Sequence, residues 1–280
     1  MKILITGAKG MLGRTLTRYL DKHDLCLVDI DTVDLSDSVA TRNTISSFRP
    51  EVVLHSAAMT AVDKCESDED GAFRANAIVS ANVAIACHLC SARLIAYSTD
   101  YVFLGDLDRP YHEWDETRPH TIYGKSKLAG EKAIAKHCPD HLICRLAWLY
   151  GSGGPSFLHT MLRLAQANDA PLKVVNDQVG NPTTTDAVAQ HTMVLLEKPA
   201  VGVMHLTCEG EATWYDFTKE IFRLWNIKKE IIPCTSEEYP RPAKRPKNSR
   251  LEKRALRLHN LPAMPHWHAA LRDFKLKYSE

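Results

Sequence analysis

The sequence predicts an α/β protein built on a Rossmann-type, doubly wound parallel sheet, with a smaller C-terminal substrate-binding domain. Three observations carry that expectation. Short runs that are apolar throughout alternate with helix-length stretches along the first half, as parallel strands covered on both faces do. The first of those runs leads directly into a glycine-rich turn. Beyond Gly151 the alternation gives way to loops, helices and a basic, proline-rich tail.

In chain order, Ile3 to Thr6 reads as a buried strand and Met11 to Lys22 as the helix after it. Leu25 to Asp29 and Ser38 to Phe48 form the next strand and helix, followed by a strand over Val52 to Ser56 and a helix over Ala72 to Cys90. Leu94 to Ser98 is another strand, Tyr123 to Cys138 a helix and Leu142 to Leu146 a strand. After the loop Gly151-Ser152-Gly153-Gly154-Pro155, helices are expected over Phe157 to Asn168, within Pro182 to Leu196 and over Trp214 to Trp225. Residues 1–150 are therefore assigned to a dinucleotide-binding domain and 151–280 mainly to a substrate domain, with return segments to the sheet allowed.

Composition narrows the function. At 280 residues, 45% hydrophobic and 25% charged, the chain has ordinary globular usage and can bury a full core. Lys and Arg number 35 against 34 Asp and Glu, so no overall field gathers nucleic acid or a membrane surface, and neither is expected as a partner. No apolar run is read as approaching the roughly 20 residues of a membrane span. Met1 leads straight into a strand, so a cytoplasmic protein is expected. The eight cysteines are scattered through apolar stretches and read as reduced core thiols. Cys87 and Cys90 form a close pair with no second pair to complete a zinc site, and the 13 histidines lack metal spacing; no metal is expected.

Gly7-Ala8-Lys9-Gly10-Met11-Leu12-Gly13 has the spacing G-x-x-G-x-x-G between a strand and a helix. Glycines there allow a tight turn and close approach of the backbone to a pyrophosphate on the helix N-terminus. Asp29 closes the second strand about 20 residues on, where an acid grips the adenosine ribose of NAD. Lys9 and Arg14 flank the turn and suit a 2′-phosphate instead, so NADPH and NADH both stay open. Asp34 and Leu35 lie just beyond, bordering the adenine.

Tyr123 and Lys127 stand four apart, which puts both on one face of a helix. A phenol titrates near 10, and a neighbouring ammonium lowers that value, so Lys127 is expected to make Tyr123 a proton donor to a carbonyl receiving hydride. Thr99 ends the preceding strand, at the edge where ligands of such sheets bind, and can polarise that carbonyl.

These motifs resemble the extended short-chain dehydrogenases/reductases and, within them, the dTDP-4-dehydrorhamnose reductase family. The likeness runs nearly end to end. It includes Ala57-Ala58-Met59-Thr60-Ala61-Val62-Asp63, Ser98-Thr99-Asp100-Tyr101-Val102-Phe103, Tyr123-Gly124-Lys125-Ser126-Lys127, Arg145-Leu146-Ala147-Trp148, Asp177-Gln178-Val179-Gly180-Asn181-Pro182-Thr183 and the stretch from Arg241 to Leu251. It implies that Thr99, Tyr123 and Lys127 are catalytic and that Gly10, Met11 and Leu12 contact the pyrophosphate. It places Ala58, Met59 and Thr60 along the cofactor, and Asp100, Tyr101, Trp148, Gln178 and Arg245 with Thr99 against a dTDP-sugar. Met59 departs from the pattern, standing where the family often has Tyr or His. The resemblance implies reduction of the 4-keto group of dTDP-4-dehydro-L-rhamnose by a monomer or homodimer. The alternatives are a related nucleotide-sugar 4-keto reductase and a non-catalytic regulatory subunit of the same fold.

One feature stays open. Arg241 to Arg257 holds eight Lys or Arg and one acid, Glu252, and reads either as a solvated face or as a segment closing over the nucleotide. Trp214, Tyr215, Phe217, Phe222 and Trp225 have helical spacing and are expected in the core rather than as a stacking platform. His112 and His120 are expected in a loop.

Overall fold

The computed structural model describes residues 1–168, 170–198 and 200–278. It opens with β1 (Lys2–Thr6), α1 (Met11–Tyr19), β2 (Asp24–Val28), α2 (Ser38–Phe48) and β3 (Val52–His55). Next come α3 (Val62–Ser67) and a helical run made of α4 (Glu69–Phe73), a π turn (Arg74–Ile78) and α5 (Val79–Leu89). β4 (Arg93–Thr99), α6 (Ile122–His137) and β5 (His141–Leu146) complete the first half. The second half holds β6 (Leu149–Tyr150), α7 (Phe157–Ala165), β7 (Leu172–Val175), β8 (Val179–Gly180), β9 (Thr183–Thr184), α8 (Thr185–Glu197) and β10 (Gly202–His205). β11 (Ala212–Thr213), α9 (Trp214–Leu224), β12 (Ile231–Cys234), β13 (Asn248–Ser249), α10 (Arg254–Leu258) and α11 (Trp267–Tyr278) follow.

The main sheet has six parallel strands in the order β10-β5-β4-β3-β1-β2. Alternate residues of each strand serve opposite faces, because successive side chains of a strand point opposite ways. Ile3, Ile5, Leu54, Ile95 and Leu142 join one buried cluster, while Leu4, Val53, Leu94 and Ile143 join another on the far side. Each such side chain contributes about 1.5–3 kcal/mol on burial. The chain leaves β1 for β2 on one side and crosses to β3 on the other. The loops after β1 and β3 therefore flank the reversal point, where sheets of this kind bind ligands.

Residues past Gly151 do not all stay in a second layer. β10 pairs with β5 along Gly202 to His205, and α8 is tied to α1 through the Thr15 hydroxyl, which donates to Thr185 Oγ1 at 2.9 Å. The Arg93 guanidinium donates to the carbonyls of Leu195 and Ala200 at 2.6 and 2.8 Å, fixing the link between α8 and β10. The smaller sheets, β11-β8-β13, β12-β7 and β6-β9, stand beside α7 and α9 to form the second lobe. Between β5 and α6, Arg145 makes a two-point ion pair with Glu131 at 3.0 and 2.7 Å, both side chains buried.

One expectation is corrected. The run Glu69–Leu89 is 21 residues long and apolar enough, by length and composition, to cross a membrane. Its apolarity has a core explanation: Val79, Val83, Ala84 and Cys87 pack against the sheet beside Ile45 of α2 and Ile134 of α6, and Glu69 and Asp70 open it. All eight cysteines are free thiols, and burial pushes the Cys87 and Cys90 pKa values up, so neither is a reactive thiolate.

Candidate active site

The glycine turn is shaped by close contact. Gly7 has φ +65°, and a Cβ there would lie 2.7 Å from the backbone of Ala57. A Cβ on Gly13 would lie 2.1 Å from the Gly7 carbonyl oxygen, so α1 presses directly on the turn. Gly10 caps α1, with neither a side-chain cap nor an acid in the first turn. The first amides and the positive end of the helix dipole are left for an anion. Leu12 packs into the core and Met11 lies against Gly154, so both offer backbone rather than side chain to a pyrophosphate.

A cavity of about 830 Å³ opens from this turn across the reversal point. Gly7, Gly10, Asp29, Asp34, Leu35, Ala58 and Met59 line it, while Thr60 is exposed outside the lining. The turn, the free helix end and the cavity suit a nicotinamide dinucleotide. Lys64 and Arg74 also line it; sequence reasoning missed both, because isolated exposed cations carry no spacing signal. Both Asp29 oxygens accept backbone amides, Oδ2 from Lys9 and Oδ1 from Ile30, each at 2.8 Å. Lys9 is paired with Asp31, and Arg14 donates through Nε to the Lys9 carbonyl at 2.7 Å. The turn is thus braced by the residues that the sequence marked as cofactor selectors.

Thr99 ends β4, Tyr123 is the second residue of α6, and Lys127 follows one turn later; all three are buried. The Thr121 hydroxyl caps α6 by accepting the Gly124 amide at 3.0 Å. A Cβ on Gly124 would lie 2.2 Å from the Tyr101 carbonyl oxygen, so the helix start sits tight against the turn after β4. The Tyr101 and Tyr123 rings meet edge to face at 5.4 Å. Lys127 Nζ donates to the Tyr97 carbonyl at 2.8 Å, and burial pulls its pKa down to about 8, against the opposing pull of Glu131.

Here the structure corrects the expected electrostatics. Burial pushes the Tyr123 phenol above its usual value, partly offset by the Thr99 hydroxyl, and outweighs any lowering by Lys127. The ammonium is held by a backbone carbonyl instead.

Two buried networks unmarked in the sequence hold the floor. Asn76, in the π turn, accepts the Met59 amide at 2.8 Å and donates to the Met59 carbonyl at 3.1 Å and to Ser126 at 2.9 Å. It thereby ties the loop after β3 to α6, a use typical of π turns near functional sites. His55 lies between Thr6 at 2.7 Å and Ser80 at 3.1 Å, and burial pulls its pKa down to about 3, which keeps it neutral.

A second cavity, of about 600 Å³, brings Tyr101, Trp148, Gln178 and Arg245 together. Trp148 has φ +48° and stacks on Trp214 at 3.4 Å with an interplanar angle of 5°. Gly180 lies directly beneath, where a Cβ would come 2.5 Å from the Trp148 ring. The Trp214 indole donates to Gln178 Oε1 at 3.0 Å, and Gln178 Nε2 donates to Ser236 at 2.8 Å. Of the aromatic group, Phe217 and Phe222 are core as expected; Trp214 is corrected, because it faces this cavity. Asp63 takes Arg245 at 2.9 Å and the Ala243 amide at 3.2 Å, while His120 Nε2 meets the Lys244 carbonyl at 2.7 Å. The basic stretch therefore splits. Arg241 and Arg245 face the cavity, whereas Arg250, Lys253 and Arg257 pair with Glu211, Glu209 and Glu252. Tyr123 lines neither cavity but packs in one buried cluster with Met59, which lines the first, and Tyr101, which lines the second.

The family model described as the RmlD substrate binding domain matches residues 1–279. A solved dTDP-4-dehydrorhamnose reductase of Clostridium acetobutylicum is 41% identical, with a TM-score of 0.97 and 100% of both chains covered. The dTDP-4-dehydrorhamnose reductase of Bacillus anthracis, solved in complex with NADP, is 35% identical with a TM-score of 0.96 and 99% of both chains covered. The dTDP-4-keto-6-deoxy-D-glucose reductase of Streptomyces niveus is 38% identical, covering 96% of this chain and 94% of that protein.

Proposed function

The chain belongs to the RmlD substrate binding domain family, and on that premise we propose that it reduces the 4-keto group of dTDP-4-dehydro-L-rhamnose to give dTDP-L-rhamnose. NADPH is the hydride donor, as the NADP-bound Bacillus anthracis relative supports, with NADH as the alternative. The observation that carries this reading is the shared cluster of Met59, Tyr101 and Tyr123, which sets the phenol between a lining residue of each cavity.

When bound, the reduced nicotinamide supplies the hydride that reaches C4. The remaining work falls to side chains. Tyr123, held above its usual pKa by burial, stays protonated until negative charge develops on O4. An alkoxide is a stronger base than a phenolate, so the phenolic proton then passes to O4. Lys127, with a pKa of about 8, is mainly a cation at neutral pH and stands one helical turn from the phenolate left behind. Thr99 completes the group around the oxygen. Arg245 and Arg241 suit the diphosphate, because guanidinium groups match phosphate oxygens in pairs. Trp148 and Trp214 supply a flat aromatic wall for the rest of the nucleotide sugar. We assign the reaction to the cytoplasm, as both reactants are charged metabolites.

The test is oxidation of NADPH with dTDP-4-dehydro-L-rhamnose by wild type and Tyr123→Phe. The variant should lose about 10²–10⁴ in turnover while still binding NADPH and dTDP. Unchanged turnover in the variant sinks the mechanism. No turnover in wild type, with cofactor bound, favours the regulatory subunit. Met59, together with the 38% identical Streptomyces niveus protein, supports a second reading: a 4-keto-6-deoxysugar of different stereochemistry. Running dTDP-4-keto-6-deoxy-D-glucose beside the first substrate separates the two.

A further inference from the structure

Behind Thr99 lies a carboxyl group that the family resemblance sets against the sugar and the structure buries beside the Thr99 hydroxyl. Asp100 opens the turn after β4 and is 4% exposed. Its Oδ1 accepts the Thr99 hydroxyl at 3.0 Å, and Oδ2 is buried without a hydrogen-bond partner. Thr99 Oγ1 in turn accepts the Tyr101 amide at 3.2 Å. The largest influences on Asp100 are burial, Ser249 of β13, Thr99 of β4 and the amides of its own turn; Tyr123 of α6 and the Tyr101 phenol feel its charge in return. Arg245 and Asp63, farther out, act on Tyr101.

This arrangement restricts Thr99. A carboxylate only accepts hydrogen bonds, so ionised Asp100 holds the Thr99 proton turned inward. Thr99 then shows lone pairs alone towards Tyr123 and towards a ketone oxygen, which they repel. A carboxylic acid donates as well as accepts. With Asp100 protonated, Thr99 can receive its proton and turn its own hydroxyl outward.

Resting on the reductase reading, we propose that Asp100 is a positioning residue that sets the direction of the Thr99 hydroxyl, its acid form being the one that lets Thr99 donate to O4. The control lies near neutral pH, because burial pushes Asp100 up to about 6, against the pulls of Ser249 and Thr99. The first-described donors to O4, Thr99 and Tyr123, then act together only while Asp100 carries its proton. Asp100 is 4% exposed and its Oδ1 is taken by the Thr99 hydroxyl, so its effect falls on turnover rather than on substrate affinity.

The full-length chain tests this in two ways. Carbon-13 NMR of the Asp carboxyls, with Asp100 assigned by its loss in Asp100→Asn, should show a midpoint well above the ordinary carboxylate range. Thr99→Val removes a hydroxyl that favours the carboxylate and should raise that midpoint further; an unmoved midpoint overturns the coupling. In steady-state reduction, wild-type kcat should fall about tenfold per pH unit above the Asp100 midpoint. Asp100→Asn, whose amide donates to Thr99 at every pH, should be flat over that range with KM kept within about twofold. A variant that keeps the wild-type fall, or a wild type without one, overturns the proposal. Absence of turnover in wild type sinks the reductase reading, and the NMR titration still decides whether Asp100 and Thr99 are coupled.

Discussion

Replacing Asp100 with Asn should make the protein more stable at neutral pH, and the size of the gain follows from its surroundings. Burial raises the Asp100 pKa from 3.8 to about 6, against the smaller pulls of Ser249 and Thr99. The folded state therefore binds the proton more tightly than the unfolded chain. Stability that is complete below about pH 4 is lost as pH rises through about 6, because above that point the fold holds a buried charge. About two pKa units at 1.36 kcal/mol each make that loss about 3 kcal/mol. Integrating between the two pKa values puts about 1.5 kcal/mol of the loss at pH 5 and all of it by pH 7.5. Asn keeps the shape and never ionises, so its advantage should grow across the same interval. Urea unfolding of both proteins at pH 5 and 7.5, read by tryptophan fluorescence, measures this directly. A difference that does not change with pH, or a wild type more stable than the variant at pH 7.5, would refute the reasoning.

Other outcomes follow from contacts already described. Glu131→Gln leaves the buried Arg145 guanidinium facing a neutral group and should cost about 3–5 kcal/mol in urea unfolding. Gly13→Ala forces a Cβ against the Gly7 carbonyl, so it should lower stability by about 1–3 kcal/mol and weaken NADPH binding in a calorimetric titration. Asp29→Ala removes an acceptor of two loop amides and should weaken NADPH and NADH in parallel; a changed ratio of the two affinities would restore Asp29 as the selector. Asp63→Ala frees Arg245 and the Ala243 amide, so the segment is no longer pre-organised and dTDP should bind several-fold more weakly by equilibrium titration.

The sheet was legible because buried parallel strands leave unbroken apolar runs, as in Val52-Val53-Leu54, with helices between them. Tyr123 and Lys127 were legible through their four-residue spacing, and Gly7 to Gly13 through their place between a strand and a helix. Periodicity reports which face of an element is apolar, not what lies opposite. Trp214 was therefore grouped with Phe217, although it stacks on Trp148 from a distant segment. Asn76 was invisible for a related reason: its three bonds to Met59 and Ser126 depend on a π turn that no residue type announces. Asp63 lay inside a quoted motif, but its pairing with Arg245 spans the two lobes and carries no local signature. The direction of the Tyr123 shift needed burial, and spacing alone suggested the opposite sign.

The return of α8 and β10 to the main sheet bears on how such a chain can be cut and recombined. A fragment ending at residue 150 would strand β5 as a bare edge, offering unpaired amides and carbonyls to any neighbouring chain, and would uncover the flank of α1. The first half is thus no independent module. Grafting a foreign second lobe onto it would succeed only if the donor also brought its own equivalents of residues 185–205. Exchange of the intervening loops, by contrast, leaves the edge covered, and that is where substrate range has room to diversify.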